Sequence, residues 1–448
     1  MNTESSAPSK TRELFGSRAG FVMAAVGSAV GPGNMWRFSY RTAEGGGAAF
    51  VLLYLGMTLL IGVPMMMAEF GMGRRTRLSS VGALRTFGGP AWVALGYLFV
   101  LTSLVIVAYL SVITGWTVRY AFDGVLTGYS ATPGARYAEV SVGSTAMLYH
   151  IVIMGVTTGI VILGVKKGIA RASLVLMPIL FLILIALALW AATLEGAGPG
   201  YAFYLTPSVA ALMDPLVIQG AASQAFFSLS VGMGIMLTYG SYLSGSENLG
   251  REALIVSMAD FSVAFIAGLV VFPVIFALGL SGDMTESTMG TLFISLPGAF
   301  REMGLMGRVV GVSFFLALAV ASITSTVSLL EVVAAVGIDE FKLTRRAAAL
   351  IAGVLAAGIG VFAALSGDVL GVLDKIAGEF FVVVGVLGTS LFFGWRVAEP
   401  IKHLAEGASP SIARALPALV FVIRYLIPPI LAFMVWVAFQ DMVATLAG

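Results

Sequence analysis

Residues 27–38 read GSAVGPGNMWRF and fall in the middle of the first long apolar segment. Three glycines and a proline this close together cannot continue a helix. Glycine is too free in its backbone, and Pro32 has no N–H to give. At bilayer depth, broken backbone is tolerated only where protein buries it or where it lines a cavity. The break therefore marks the expected position of a cavity inside a membrane-embedded chain.

Composition supports that setting. The 448 residues are 59% hydrophobic and 11% charged, whereas a soluble domain carries roughly 25% charged residues. The expectation is a polytopic protein surrounded by lipid. A net charge of +2 gives no sign of a nucleic-acid partner. With no cysteine, disulfides, thiol catalysis and zinc–thiolate sites are excluded. The two histidines, His150 and His403, lie far apart in sequence. No nucleophile with a histidine partner is evident, so an enzyme is not expected. Residues 1–18 are polar and carry Lys10, Arg12 and Arg18; they read as an uncleaved cytoplasmic tail.

A crossing helix needs about 20 apolar residues. Eleven such spans are predicted, near 19–42, 49–72, 92–122, 145–165, 170–193, 217–243, 254–281, 308–337, 345–366, 371–395 and 415–439. Basic residues cluster before span 1 and after spans 2, 4, 8 and 10: Arg74, Arg75, Arg77 and Arg85; Lys166, Lys167 and Arg171; Lys342, Arg345 and Arg346; Arg396, Lys402 and Arg414. All fall on one side when the N-terminus is cytoplasmic, the arrangement the positive-inside rule prefers. The expected location is the inner (plasma) membrane, multi-pass. Two long loops, 123–144 and 282–307, then lie outside. The second contains TLFISLPGAF and reads equally as a lid or as a solvated connector.

Span 6 repeats the interruption. QAFFSLSVGMG, Gln224 to Gly234, sets Ser-Leu-Ser and two glycines inside an apolar run. Spans 1 and 6 each open a set of five. An odd number per set forces the second set to be inverted. Paired broken helices in inverted halves are the sequence signature of secondary transporters with a midplane site. The predicted fold is all-α: a single domain, 19–440, with repeats near 19–193 and 217–395 and an added helix near 415–439.

Broken helices expose carbonyls to a hard cation, and a half-helix N-terminus suits an anion. Span 1 offers the carbonyls of Gly27, Ala29 and Val30 and the Asn34 side chain. Span 6 offers Ser228, and span 8 offers Thr324 and Ser325. Such hydroxyls also serve as interhelical links or bond back to their own helix. Charges inside spans are costly and mostly functional: Arg37 and Asp260 are read so here, whereas Glu69, close to Arg74 and Arg75, is read as a buried ion pair or a charge snorkelling to the interface. Glu331 and Glu379 are further charges within spans.

GSAVGPGNMWRFSY, then EGGGAAF (Glu44 to Phe50) and GVPMMMAEFGMGR (Gly62 to Arg74), resemble the neurotransmitter:sodium symporter family, over nearly the whole chain. The paired-break signature was itself generalised in part from that family. The resemblance implies two inverted five-helix repeats plus helix 11, and two sodium ions. One would be held by the Ala29 carbonyl, Asn34, Ser228 and Asp260. The other would be held by carbonyls of Gly27, Val30 and Ala321 and the hydroxyls of Thr324 and Ser325. It further implies a substrate pocket of Ala29, Gly31, Gly33, Ile106, Leu110, Phe227, Ser228, Ser230, Met233, Ser325 and Leu329. Phe227 would be its lid. An outer gate would pair Arg37 with Asp374. An inner gate would pair Arg12 with Asp339, supported by Phe15, Ser241 and Tyr242. No chloride requirement is expected, because Asp260 supplies a fixed negative charge; Ala264 stands where some chloride-independent relatives carry a glutamate, so Asp260 alone would do that job.

Two departures bear on one task. Pro32 replaces a residue whose N–H meets the substrate carboxylate in relatives. Leu110 stands where relatives carry a carboxylate-binding tyrosine, and Tyr109 is expected to point about 100° away. The expected function is sodium-coupled import of a small amino acid or amino-acid-like zwitterion. A symporter of taurine, a betaine or an amine, or a transporter-like sensor or scaffold, remains the alternative. The oligomeric state is open.

Overall fold

A computed structural model describes residues 13–244, 247–279 and 288–447. Arg12, Asp283 and Glu286 lie outside them. Among the described residues the chain is helical and without strands.

Nine helical segments are long and apolar enough to cross a bilayer among the described residues. They run Ala48–Thr76, Pro90–Leu126, Ser144–Ile162, Val165–Ala191, Leu249–Ala277, Gly304–Asp339, Arg345–Leu365, Gly367–Arg396 and Pro410–Thr445. These are predicted spans 2–5 and 7–11. The two that fall short are spans 1 and 6, and each is broken. Span 1 is the helix Arg18–Ala29, a gap, a π-turn Gly33–Arg37 and the helix Phe38–Glu44. Span 6 is Pro215–Ser228 and Ile235–Gly240 with turns between. The chain is thus an all-α polytopic membrane protein with two interrupted helices.

Spans 3 and 8, the long pair, pack along each other and form the wall behind the breaks. Span 2 closes tightly on the second half of span 6. A Cβ on Gly73 would stand 1.9 Å from the Leu237 carbonyl oxygen, and one on Gly240 2.6 Å from that of Phe70. Only glycine fits there, so the backbones touch and the half-helix is clamped.

The predicted basic clusters share one face. There the Phe15 N–H meets the Tyr242 carbonyl, Glu13 pairs with Arg345, Arg74 donates to carbonyls of Glu247, His403 and Glu406, and Arg85 pairs with Glu340. We call this the N-terminal face. On the opposite face, Asp123 is clasped by Arg119 and Arg136, and residues 133–141 of the first long loop form a helix. The second long loop is helical over its described part. Leu292, Phe293, Leu296 and Phe300 are buried, and Phe293 packs against Trp116, Tyr120 and Tyr137. It sits down as a lid, not as a solvated connector, because its apolar run finds an aromatic floor.

Candidate cation and substrate site

The break in span 1 follows from bookkeeping of backbone donors. Each helical carbonyl needs the N–H four residues on. Pro32 has none to give to Ser28, whose carbonyl accepts the Ser230 hydroxyl at 2.9 Å instead. The Gly31 N–H is diverted to Asn34 Oδ1 at 2.8 Å, which releases the Gly27 carbonyl. Val30 is extended, with φ −73° and ψ 111°. The last carbonyls of the first half-helix therefore face the cavity at the negative end of its dipole, where a cation is favoured.

Span 6 breaks by left-handed backbone. Ser230, Gly232 and Gly234 have φ of 53°, 81° and 77°. The two glycines adopt this freely; Ser230 is strained into it. Its hydroxyl bond to Ser28 ties the two breaks together. Gln224 adds a second tie, donating to the Gly33 carbonyl at 3.1 Å.

One cluster of oxygens forms around Asp260, which is 0% exposed. Asn34 Nδ2 donates to Asp260 Oδ1 at 2.6 Å and to Ser228 Oγ at 3.0 Å. The Ser228 hydroxyl reaches both Asp260 oxygens at 2.9 Å. Tyr54 donates to Asp260 Oδ2 at 2.8 Å. No basic side chain pairs with this carboxylate among the described residues. A buried charge without a partner is costly, so the group fits a bound cation, and one carboxylate with neutral oxygens suits a monovalent one. Tyr54 was not anticipated; a lone phenol in the apolar run VLLYLGM was the available signal.

A second cluster lies between span 1 and span 8. The Ser325 hydroxyl is 3.3 Å from the Val30 carbonyl oxygen and 3.2 Å from that of Ala321. Thr324 Oγ1 is 2.9 Å from the Ala321 carbonyl oxygen. A Cβ on Gly27 would stand 3.2 Å from Thr324 Cβ. All five residues expected at this position are thus adjacent, and every donor atom is oxygen, as a hard cation needs.

Beside both clusters is a cavity of about 190 Å³. Ala29, Gly31, Gly33, Ile106, Leu110, Phe227, Ser228, Ser230, Met233, Ser325 and Leu329 all line it, and so do Arg37 and Asp374. Three expectations are corrected. Arg37 and Asp374 do not pair: Asp374 accepts the Tyr109 hydroxyl at 2.8 Å, and the Arg37 guanidinium lies over the Phe227 ring, 4.5 Å from its centre. Tyr109 does not point away but lines the cavity beside Leu110, because the cavity wraps a wide arc of span 3. Glu69 does not pair with Arg74 or Arg75; it accepts the Gly232 and Leu237 N–H groups at 2.7 and 3.3 Å.

Toward the N-terminal face the cavity is shut. Phe15 packs edge-on against Phe21, Tyr239 and Tyr242. Tyr242 donates to Glu331, which is 0% exposed and paired with Arg345 at 2.9 Å; Arg345 also reaches Glu13 at 3.1 Å. Asp339 accepts the Ser79 N–H at 2.6 Å. Its expected partner, Arg12, lies outside the described residues.

Two broken helices meeting at a cation-suited cluster, beside a cavity closed toward the N-terminal face, define a secondary transporter. The chain matches the sodium:neurotransmitter symporter family over residues 12–131 and 140–445, and it belongs to that family. An uncharacterized sodium-dependent transporter of Methanocaldococcus jannaschii is 32% identical over 426 residues, 88% of this chain and 85% of that one. A Bacillus subtilis protein of the same description is 34% identical, with 89% and 91% covered. The crystal structure of MhsT in complex with L-phenylalanine matches with a TM-score of 0.85 and 37% identity, over 95% of this chain and 99% of that one. The relatives are sodium-dependent transporters, not enzymes.

Proposed function

We propose that the chain is a symporter that carries a small amino acid or amino-acid-like zwitterion, driven by two sodium ions and without chloride. The observation that carries this reading is the lone buried carboxylate of Asp260 among Asn34, Ser228 and Tyr54 at the junction of the two breaks. A sodium ion there would be held by Asp260, Asn34, Ser228 and the Ala29 carbonyl. A second would be held by Gly27, Val30, Ala321, Thr324 and Ser325. The ions supply positive charge that draws the broken halves together. Two charges ~4 Å apart at an effective dielectric of 20 attract by about 4 kcal/mol, so Asp260 does the work an anion would otherwise do. MhsT is described in complex with L-phenylalanine, and a Drosophila melanogaster relative, 28% identical, is described as a sodium-dependent nutrient amino acid transporter. Both support the amino-acid class.

With the N-terminal face cytoplasmic, access to the cavity would alternate between two gates. Tyr242, Glu331, Arg345, Asp339 and Arg12 would guard the inner side; Arg37, Phe227 and Asp374 the outer. The tail is taken as 1–18 and the transporter domain as 19–440. The test is uptake into proteoliposomes under an inward sodium gradient, in chloride and in gluconate, with a panel of amino acids, taurine, betaine and amines. Sodium-driven uptake that is equal in both anions is expected. Failure to take up any member would favour a sensor or scaffold.

A further inference from the structure

We propose that the junction of spans 10 and 11 is a binding site for an acidic phospholipid, with Arg424 and Arg396 receiving the charge of its headgroup. The site lies on the outer surface of the helical bundle, apart from the cavity and both cation clusters, and requires only that the chain spans a membrane.

Each helix relaxes into a π-turn where the two meet, Phe392–Arg396 in span 10 and Val422–Leu426 in span 11. Such turns loosen a helix's own ladder of bonds and often mark functional positions. Glycine at 394 lets the backbones approach: a Cβ there would stand 3.1 Å from Arg424 Cα. Three side chains then tie the turns together. Ser390 donates to the Ile423 carbonyl at 2.6 Å, Trp395 Nε1 to the Arg424 carbonyl at 3.1 Å, and Arg424 Nε to the Gly394 carbonyl. The Arg424 guanidinium is thereby held over the Trp395 indole, 5.6 Å from the ring centre. Its two terminal nitrogens have no hydrogen bond or ion pair among the described residues, and the exposed Arg396 makes none at all there. Glu399, the acid nearest to Arg396 in sequence, is taken by Lys402 at 3.3 Å.

Depth in the bilayer follows from helix length. A charge inside a span is costly unless its head reaches the interface. From Arg424 to Thr445, where span 11 ends, the helix rises ~32 Å, about the thickness of the hydrocarbon core. Arg396 is the last residue of span 10. Both arginines therefore stand at headgroup level on the N-terminal face. The aromatic residues agree. Trp395, Phe421 and Tyr425 are 60%, 61% and 49% exposed. Tyr425 joins them, with ring centres 5.4 Å from Trp395 and 5.1 Å from Phe421, and tryptophan and tyrosine collect at membrane interfaces. Deeper along the two helices, Leu391, Leu426 and Phe433 are exposed and offer apolar surface to an acyl chain. The planar fork of arginine matches two phosphate oxygens. Two guanidiniums with no acid bonded to them favour a lipid of net negative charge over a zwitterionic one.

The test reads Trp395 in vesicles. The purified full chain is reconstituted into phosphatidylcholine with a rising fraction of brominated phosphatidylglycerol or brominated phosphatidylcholine. The Trp395 signal is the difference in fluorescence between each protein and its Trp395→Phe counterpart. Quenching should give an association constant for phosphatidylglycerol about 25-fold above that for phosphatidylcholine, about 5-fold for each arginine near the surface. Arg396→Gln touches no bond within the protein and should remove one such factor; adding Arg424→Gln should remove the other. Arg424→Gln also loses the bond to Gly394, so Arg424→Lys is measured beside it: the charge is kept, and the preference should be kept with it. Equal quenching of the native chain by both lipids would overturn the proposal, and so would a preference that survives the double substitution. A loss in Arg424→Lys as large as in Arg424→Gln would overturn the role of Arg424, since only its packing would then matter. A Trp395 signal that neither lipid quenches would show that a second copy of the chain covers this face, which also overturns it. Excess inorganic phosphate should leave the preference unchanged; its disappearance would assign the arginines to a soluble anion instead.

Discussion

Glu69 of span 2 holds the break of span 6 open by accepting the Gly232 N–H at 2.7 Å. Its other oxygen takes the Leu237 N–H at 3.3 Å. Gly232 lies in the turn and Leu237 in the first turn of the helix after it, so one carboxylate does the work that a continued helix would have done for them. It is 0% exposed, and no water can replace it cheaply.

Glu69→Ala should therefore leave buried N–H groups unpaired, at a cost of about 1–3 kcal/mol for each. The expected result is a clear fall in the thermal unfolding midpoint of the purified protein, with sodium no longer restoring it to the native value. An unchanged midpoint would show that the turn finds other acceptors.

The paired substitution Thr324→Val and Ser325→Ala removes both hydroxyls of the second cation cluster while keeping side-chain volume nearly constant. Packing should survive, because the lost groups are replaced by methyls or hydrogen. Sodium affinity should fall at least tenfold, measured by the sodium concentration that half-saturates substrate binding. Asp260→Asn should weaken sodium more than the double variant, since it deletes the formal charge. Equal sodium affinity in all three proteins would remove the basis for both clusters.

How far the sequence carries is visible in these residues. The eleven spans are legible because length and hydropathy are local properties. The two breaks are legible because Pro32, Gly31, Gly232 and Gly234 act on their own backbone. The placement of Asn34, Ser228, Thr324 and Ser325 was legible only through the family resemblance. Glu69 was misread because its near neighbours in sequence are Arg74 and Arg75, while its real partners lie on span 6, more than 160 residues on. Tyr54 and the Tyr109–Asp374 bond were missed for the same reason: no spacing rule links span 2 to span 7, or span 3 to span 10. The absent Arg37–Asp374 pair shows the limit of a resemblance, which names two partners but not the conformation in which they meet.

Gly73→Ala tests the clamp between span 2 and the second half of span 6. The added methyl would meet the Leu237 carbonyl oxygen at 1.9 Å, and backbone cannot yield as a side-chain tip can. Overpacking of this kind costs about 1–3 kcal/mol. The half-helix Ile235–Gly240 should loosen, seen as faster amide hydrogen exchange across those residues. Exchange at native rates there would mean that the two spans separate without consequence.

Arg345 is the pivot of the closed N-terminal face, since it neutralises Glu331 and holds Glu13. Arg345→Ala would strand a wholly buried carboxylate, and breaking a buried pair from one side costs about 3–5 kcal/mol. The cheapest relief is to let water in, so the conformation open on this face should gain population. The chain has no cysteine, so a single cysteine at Ser230 can report the change through a membrane-impermeant thiol reagent. Labelling from the N-terminal face should speed up in Arg345→Ala and return toward the native rate when Glu331→Gln removes the stranded charge. If Arg345→Ala labels no faster than the native chain, the Tyr242–Glu331–Arg345 network does not control access from that side.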